Sequence, residues 1–358
     1  MSLKAFLNTL KKEKPLKWVT GNQSADMDSV ICSITYCYFN YKYDSSICFP
    51  LINIPRQDFR LRRDINVVLN QFGVTEDLLY FIEDFEKLNT EKVNVSLVDH
   101  CNLQGDTLIN AYKKDMISVD SIIDHHADEN VFLDAKPRII TPSGSCSSLV
   151  FNYWYAKVQN IESEIIDLLL APLLIDTSNM TSKVETSDVE AFDKYRNLTG
   201  HPDINGFFKT IKTAKKDLAG FKVNEILRKD YKQFTFSDKV IGFSSIGKSA
   251  DWIFKNYTND EIIEGMDNVV NFFKLDLLII TPSYTDKSGN YRREFLMYHK
   301  QGFEDLVAKC TGLELNDDVY NIDSYKEKLE QVGLRIKNQG NLAASRKQIV
   351  PEVQKALL

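Results

Sequence analysis

The chain is 358 residues long, 43% hydrophobic and 26% charged, which is an ordinary soluble globular composition with room for two cores. A net charge of −6 excludes a general nucleic-acid binder, so an anionic substrate would need a local basic surface. No apolar run is long enough to span a bilayer, and the basic start, residues 4–17, leads into no apolar stretch. Neither an anchor nor a secretory signal is read, and a cytoplasmic protein is expected. The six cysteines form no CxxC pair and sit in apolar or small-residue surroundings, as packed, reduced thiols do.

Residues 17–21 predict a first strand that closes on a glycine. A polar loop follows, carrying Asn22 and Asp26, and then a helix in which Asp28 and Ser29 stand near the start, where acids and hydroxyls suit free N–H groups. A second strand, 47–54, leads into Arg56, Arg60, Arg62 and Arg63, either a solvated helix face or a phosphate-contact surface. Residues 72–87 predict a helix, and 93–98 a strand that ends on Asp99 and His100. Residues 121–124 predict a buried strand delivering His125 and His126 at its carboxyl end, where open α/β sheets place their ligands. Neighbours on an extended strand face opposite ways, so the two imidazoles need not share a task.

A short strand is expected at 138–140, and the run 144–148 opens a helix. That run fits an ordinary capped start and an anion seat on backbone N–H groups equally well. An apolar helix over 161–175 delivers Asp176. Strands alternating with helices predict an α/β protein whose first domain, 1–186, is a doubly wound, mostly parallel sheet. Linker helices over 187–220 and a smaller second α/β domain over 221–358 complete it, with strands at 239–243, 275–280 and 294–298.

If Asp26, Asp28, Asp99 and Asp176 converge on one edge of the sheet, four carboxylates crowd together and cannot all stay ionised without an offset. Two divalent cations would bring +4 against −4, as in two-metal hydrolase sites with ions about 3.5–4 Å apart.

In order, Gly21-Asn22 with Asp26-Met27-Asp28-Ser29, Val98-Asp99-His100, Asp124-His125-His126 and Leu174-Ile175-Asp176-Thr177 resemble the four motifs of the DHH phosphoesterases. The stretch Ser345-Arg346-Lys347-Gln348-Ile349-Val350-Pro351 is similar to the signature of the DHHA2 second domain. One branch carries that domain: the family II inorganic pyrophosphatases, the eukaryotic exopolyphosphatases and the prune-type proteins. The resemblance covers nearly the whole chain. It is strongest to the fungal cytosolic exopolyphosphatases, through residues 21–29, 143–155, 175–180 and 229–234.

The resemblance implies a metal-dependent exopolyphosphatase that releases orthophosphate from the end of linear polyphosphate, using a hydroxide activated by two divalent cations in a cleft between the domains. Carried over by position, Asp26 would bind the first ion, Asp28 the second and Asp99 both, with His125 and Asp176 completing the second. His126 would face the substrate phosphate, in company with Asn22, His100 and Ser145. Lys232, Arg293, Arg346 and Lys347 would bind it from the second domain. Lys232, Arg346 and Lys347 join Asp99 and His126 as expected catalytic groups, because fixed cations stabilise the charge that develops on phosphoryl oxygens.

One departure matters. The pyrophosphatases carry histidine where Asn22 stands, and an all-oxygen site favours Mg²⁺ over Mn²⁺ or Co²⁺. The expected partner is inorganic polyphosphate alone, with no nucleic acid, no membrane and a monomeric state. The alternatives are an inorganic pyrophosphatase, a small-nucleotide phosphodiesterase, or a prune-like interaction protein.

Overall fold

The short segment Lys17–Thr20 (β1) is buried from its second residue on, and its Trp18, Val19 and Thr20 are fully enclosed. A strand covered on both faces reads as a continuous apolar run, which is the mark of a parallel sheet with helices on either side. The protein's structure is a computed structural model that describes residues 1–158, 160–299, 302–325, 327–328 and 332–357. It divides into two compact units, Met1–Asp217 and Leu218–Leu358.

In the first unit, β1 is joined by β2 (Phe49–Ile52), β3 (Tyr80–Phe81), β4 (Val93–Val98), β5 (Ile117–Asp124) and β6 (Arg138–Ile140). The order across the sheet is β3-β2-β1-β4-β5-β6, and every neighbouring pair is parallel. The chain turns outward in opposite directions from β1 and β4, so the crevice beyond their carboxyl ends is the switch point where such sheets bind ligands. The helices of this unit are α1 (Leu3–Leu10), α2 (Met27–Tyr43), α3 (Arg63–Gln71), α4 (Ile82–Leu88), α5 (Asp106–Lys113), α6 (Cys146–Tyr155), α7 (Ser163–Asp176), α8 (Thr186–Leu198) and α9 (Ile204–Lys216). Helix α2 is buried from Met27 through Asn40, and α7 from Ile165 through Leu174. Helices apolar all round belong inside a core, and these two pack on each other.

Secondary structure departs from the sequence expectation at residues 72–87 and at two strands of the second unit. Residues 72–87 are not one helix. Gly73 takes a left-handed turn at φ +65°, and Tyr80 enters an edge strand where its ring packs on Trp18 and Phe49, at centroid distances of 5.9 and 5.1 Å. The stretch expected as linker helices forms α8 and α9, which lie against α6, α7 and α3 through buried Ala191, Tyr195, Phe207 and Ile211. Strands β7 (Tyr231–Phe236) and β12 (Leu334–Gln339) of the second unit were not expected: the pair Lys232-Gln233 breaks the alternation of the first, and the second ends in the polar run Lys337-Asn338-Gln339.

That second unit holds a mixed sheet in the order β11-β12-β10-β9-β8-β7, where β8 is Lys239–Ile246, β9 Leu277–Thr285, β10 Tyr291–His299 and β11 Leu315–Asn316. Among the described residues only β8 and β9 of this sheet run parallel. Among the described residues no helix is long and apolar enough to cross a membrane.

Candidate metal centre

Three strand ends of the first sheet feed the site. After β1 the chain passes Gly21, where a Cβ would lie 2.3 Å from the Ser29 Cβ, so only glycine lets the loop close onto the start of α2. Asp26 caps α2, accepting from the Ser29 N–H at 3.1 Å, and Asp28 follows in the first turn. After β4, Asp99 adopts φ +62°, a left-handed conformation that Asp tolerates better than most residues. Its N–H still reaches the Ile123 carbonyl at 3.0 Å. After β5 come Asp124, His125 and His126.

Asp99 is the hub. Its Oδ2 accepts from the Asn22 amide at 2.7 Å and the Ser29 hydroxyl at 2.6 Å. Its Oδ1 faces His125 Nε2 at 3.2 Å and His126 Nδ1 at 3.8 Å. One ligand atom from each of Asp99, Asp124, His125 and His126 fits within 4.8 Å of all the others. The two imidazoles are oriented from behind. His125 Nδ1 lies 2.8 Å from the Ser143 carbonyl, and His126 Nδ1 lies 2.7 Å from Asp124 Oδ1. A carbonyl fixes the Nδ1–H tautomer of His125 and leaves Nε2 as the coordinating atom, the usual arrangement behind a metal ligand.

Asp28 is seated differently. Its Oδ1 accepts from the Ser145 hydroxyl at 2.8 Å and the Ser147 N–H at 2.9 Å, and its Oδ2 from the Cys146 N–H at 2.7 Å. The anion at the start of α6 is therefore a carboxylate of the protein itself, held by free N–H groups and the positive end of the helix. Ser145, expected to meet substrate, is fully buried with its hydroxyl on Asp28.

The charges of these groups act on one another. Burial, then the charge of Asp99, pushes the Asp28 carboxyl up to about 7. Burial and the charge of Asp26 raise Asp99, and burial and the charge of Asp28 raise Asp176 well above the usual carboxylate range. Burial pulls His125 down, yet the hydrogen bond and charge of Asp99 hold it up to about 10. Burial raises Asp124 too, but the His126 hydrogen bond and the charges of His126, His100 and His125 together outweigh it, and the carboxyl stays below its ordinary value. Its Oδ2 is buried with no hydrogen-bond partner among the described residues. Carboxylates that repel one another, an imidazole turned Nε2-inward and an orphaned carboxylate oxygen fit a divalent-cation centre.

Comparison with known proteins agrees in both halves of the chain. The family model described as "DHH family, N-terminal domain" matches residues 18–173, and that described as "DHHA2 domain" matches residues 209–356. A protein of Schizosaccharomyces pombe described as "Putative exopolyphosphatase" is 32% identical, over 96% of this chain and 91% of its own length. The chain belongs to the DHH family. A "Manganese-dependent inorganic pyrophosphatase" of Methanothrix thermoacetophila is 25% identical, over 95% of this chain and 97% of its own. The crystal structure of a family II inorganic pyrophosphatase, described as putative, from Methanococcus jannaschii shares the fold: TM-score 0.66 at 20% identity, covering 95% of this chain and 99% of that one.

Within this DHH chain the remaining predicted groups are placed as follows. Asn22 is buried, with its amide N–H₂ on Asp99 and its Oδ1 accepting from the Ser24 N–H at 2.9 Å. His100 is also buried, with Nδ1 at 2.9 Å from the Val98 carbonyl, so it offers the substrate no exposed surface. Asp176 ends α7, half-buried.

In the second unit, Arg346 opens the helix Arg346–Leu357 and is bonded through Nη2 to Asp230 Oδ1 at 2.7 Å and through Nη1 to the Asp230 carbonyl at 3.1 Å. Asp230 lies two residues before Lys232 on β7. Arg293 donates from Nε to the Leu342 carbonyl at 2.9 Å, and Lys347 is exposed.

Three of the four early arginines have partners within the first unit. Arg56 pairs with Asp84 at 2.7 Å, Arg63 with Asp217, and buried Arg62 donates to the Ser24 and Ala25 carbonyls at 2.7 and 3.2 Å. Arg62 thus braces the loop that carries Asp26. Nothing in the sequence marked it out from Arg56, Arg60 and Arg63.

Proposed function

We propose that the protein is a metal-dependent exopolyphosphatase that hydrolyses the terminal phosphoanhydride of linear inorganic polyphosphate and releases orthophosphate. The observation that carries this reading is the mutual field of Asp26, Asp28, Asp99 and Asp176, with His125, at the switch point of the sheet. Such a cluster stays ionised only against cations. Asp26, Asp28, Asp99, His125 and Asp176 would hold two divalent ions, which supply a nucleophilic water near neutral pH and neutralise phosphate charge. The S. pombe relative's description supports the polyphosphate substrate, and the Methanothrix relative's supports a manganese-type ion.

The chain's own groups have distinct parts in this reading. Asp124 holds His126 by Nδ1 and turns Nε2 toward the substrate phosphate. Lys232, Arg346 and Lys347 of the DHHA2 unit bind the terminal phosphate as charge builds on its oxygens, and the Arg346 fork suits bidentate contact. Asn22 in place of an imidazole favours Mg²⁺ and separates this chain from the pyrophosphatases.

The test is a panel measuring phosphate release from long polyphosphate, tripolyphosphate, pyrophosphate and a cyclic nucleotide, each with Mg²⁺ and with Mn²⁺. Polyphosphate and tripolyphosphate should be cleaved fastest and pyrophosphate slowly. Pyrophosphate cleaved fastest would make this a pyrophosphatase, and no release from any substrate would remove the enzymatic reading.

A further inference from the structure

We propose that Asp188 is a positioning residue that holds two metal ligands in place through a single loop; this rests on the metal-centre reading above. Asp188 stands in the first turn of α8, is fully buried, and accepts five hydrogen bonds. One is local, from the Glu185 N–H at 2.8 Å, and completes an ordinary helix cap. The other four come from a segment some forty residues earlier: the Gly144 N–H at 2.6 Å, the Ser145 N–H at 3.3 Å, the Ser143 hydroxyl at 2.9 Å and the Ser148 hydroxyl at 2.7 Å. A cap needs only the first.

The loop so gripped does two things for the centre. Ser145, Cys146 and Ser147 hold both oxygens of Asp28, and the Ser143 carbonyl orients His125. One carboxylate thereby stands behind ligands that reach the site from α2 and from β5. Gly144 shows how tight the grip is, since a Cβ there would lie 2.8 Å from Asp188 Oδ2 and 2.4 Å from the Lys183 carbonyl. An acid enclosed by five donors is satisfied without a counter-ion, and its loss would leave those donors buried and unpaired. The loop would then shift, and with it the orientation of both ligands.

The experiment uses the full-length protein with Mn²⁺ alone as the probe. Asp188→Asn keeps the size of the side chain but sets an N–H₂ against donors. Its Mn²⁺ dissociation constants, read by calorimetry, should rise roughly 10–100-fold, the usual cost of losing a group behind the ligands. In the metal-free protein the Cys146 and Ser147 amides should exchange with solvent faster than in the parent. Asp203→Ala is the stability control: it removes the cap of α9 over the Gly206 N–H, so it should lower Tm while leaving Mn²⁺ binding and both amides unchanged. Unchanged Mn²⁺ affinity or unchanged exchange in Asp188→Asn overturns the proposal, as does equal Mn²⁺ loss in Asp203→Ala. If Asp188→Asn does not fold, Ser143→Ala removes one of the five donors and should move both readouts the same way to a smaller extent; no movement overturns the proposal. A parent that takes up no Mn²⁺ sinks the metal-centre reading instead, and amide exchange alone then decides whether Asp188 holds the loop.

Discussion

At the carboxyl edge of the first sheet, negative groups are gathered and held from behind. Asp28 accepts three hydrogen bonds at the start of α6, Asp99 two on one oxygen, and Asp188 five. In the second unit two of the expected phosphate-binding cations are each hydrogen-bonded to one residue among those described: Arg346 to Asp230 and Arg293 to the Leu342 carbonyl. The difference follows from chemistry. A short buried carboxylate has little freedom and a high desolvation cost, so its orientation must be fixed by fixed donors. A guanidinium carries its own rigid fork on a long stem and stays partly hydrated, so one tether is enough.

Asp99→Ala breaks the acidic side of this comparison at its hub. It should lower turnover on polyphosphate by about a thousandfold with the fold intact, because its two oxygens between them meet Asn22, Ser29 and the two histidines. Circular dichroism with a phosphate-release assay would show it, and more than a few per cent residual activity would remove Asp99 from the centre. On the basic side, Arg346→Ala should cut kcat on long polyphosphate by about a hundredfold while KM changes much less, since the contact strengthens as charge develops. A steep rise in KM with kcat preserved would make Arg346 a docking group.

Asn22→His sharpens the contrast between oxygen and nitrogen ligands. It removes the amide bond to Asp99 Oδ2 and adds an imidazole, so the order of preference should move from Mg²⁺ toward Mn²⁺ or Co²⁺. Activity profiles with the three ions check this, and an unchanged order would leave Asn22 as a hydrogen-bonding group only.

The smallest effect is on stability. Asp28 is raised from 3.8 to about 7 and His125 from 6.5 to about 10, so both bind protons more tightly folded than unfolded. Their stabilisation is complete below the unfolded values and is lost as pH rises through the folded ones. With chelator present, Tm should therefore fall by a few degrees between about pH 6 and pH 9. Mn²⁺ should offset the fall and release protons as it binds. A chelated Tm that climbs over that range would contradict the raised values.

The acids were legible in the sequence because each follows an apolar strand or ends an apolar helix, and period-2 and all-apolar runs announce those elements. The groups behind them were not. Asp28 meets Cys146 across 118 residues and Gly144 meets Asp188 across 44, and contacts so distant leave no periodic trace. Arg62 and Arg56 looked alike, yet one is buried under the Asp26 loop and the other pairs with Asp84 on the surface. The edge strand β3 hid inside an apparent helix because Tyr80 takes its direction from Trp18 and Phe49, not from its neighbours.

The long reach between Asp28 and its seat gives assembly a direction. All six strands of the first sheet have been synthesised once Ile140 is made, and the acids of β1, β4 and β5 with them. At that stage Asp28 lacks the helix start that holds its carboxylate. Helix α6 supplies it only with residues 145–147, and the residue that clamps its loop comes later still, at 188. A chain emerging from its amino end therefore completes its scaffold well before its ion site, and a nascent segment stopped short of α8 would carry the ligands without their geometry.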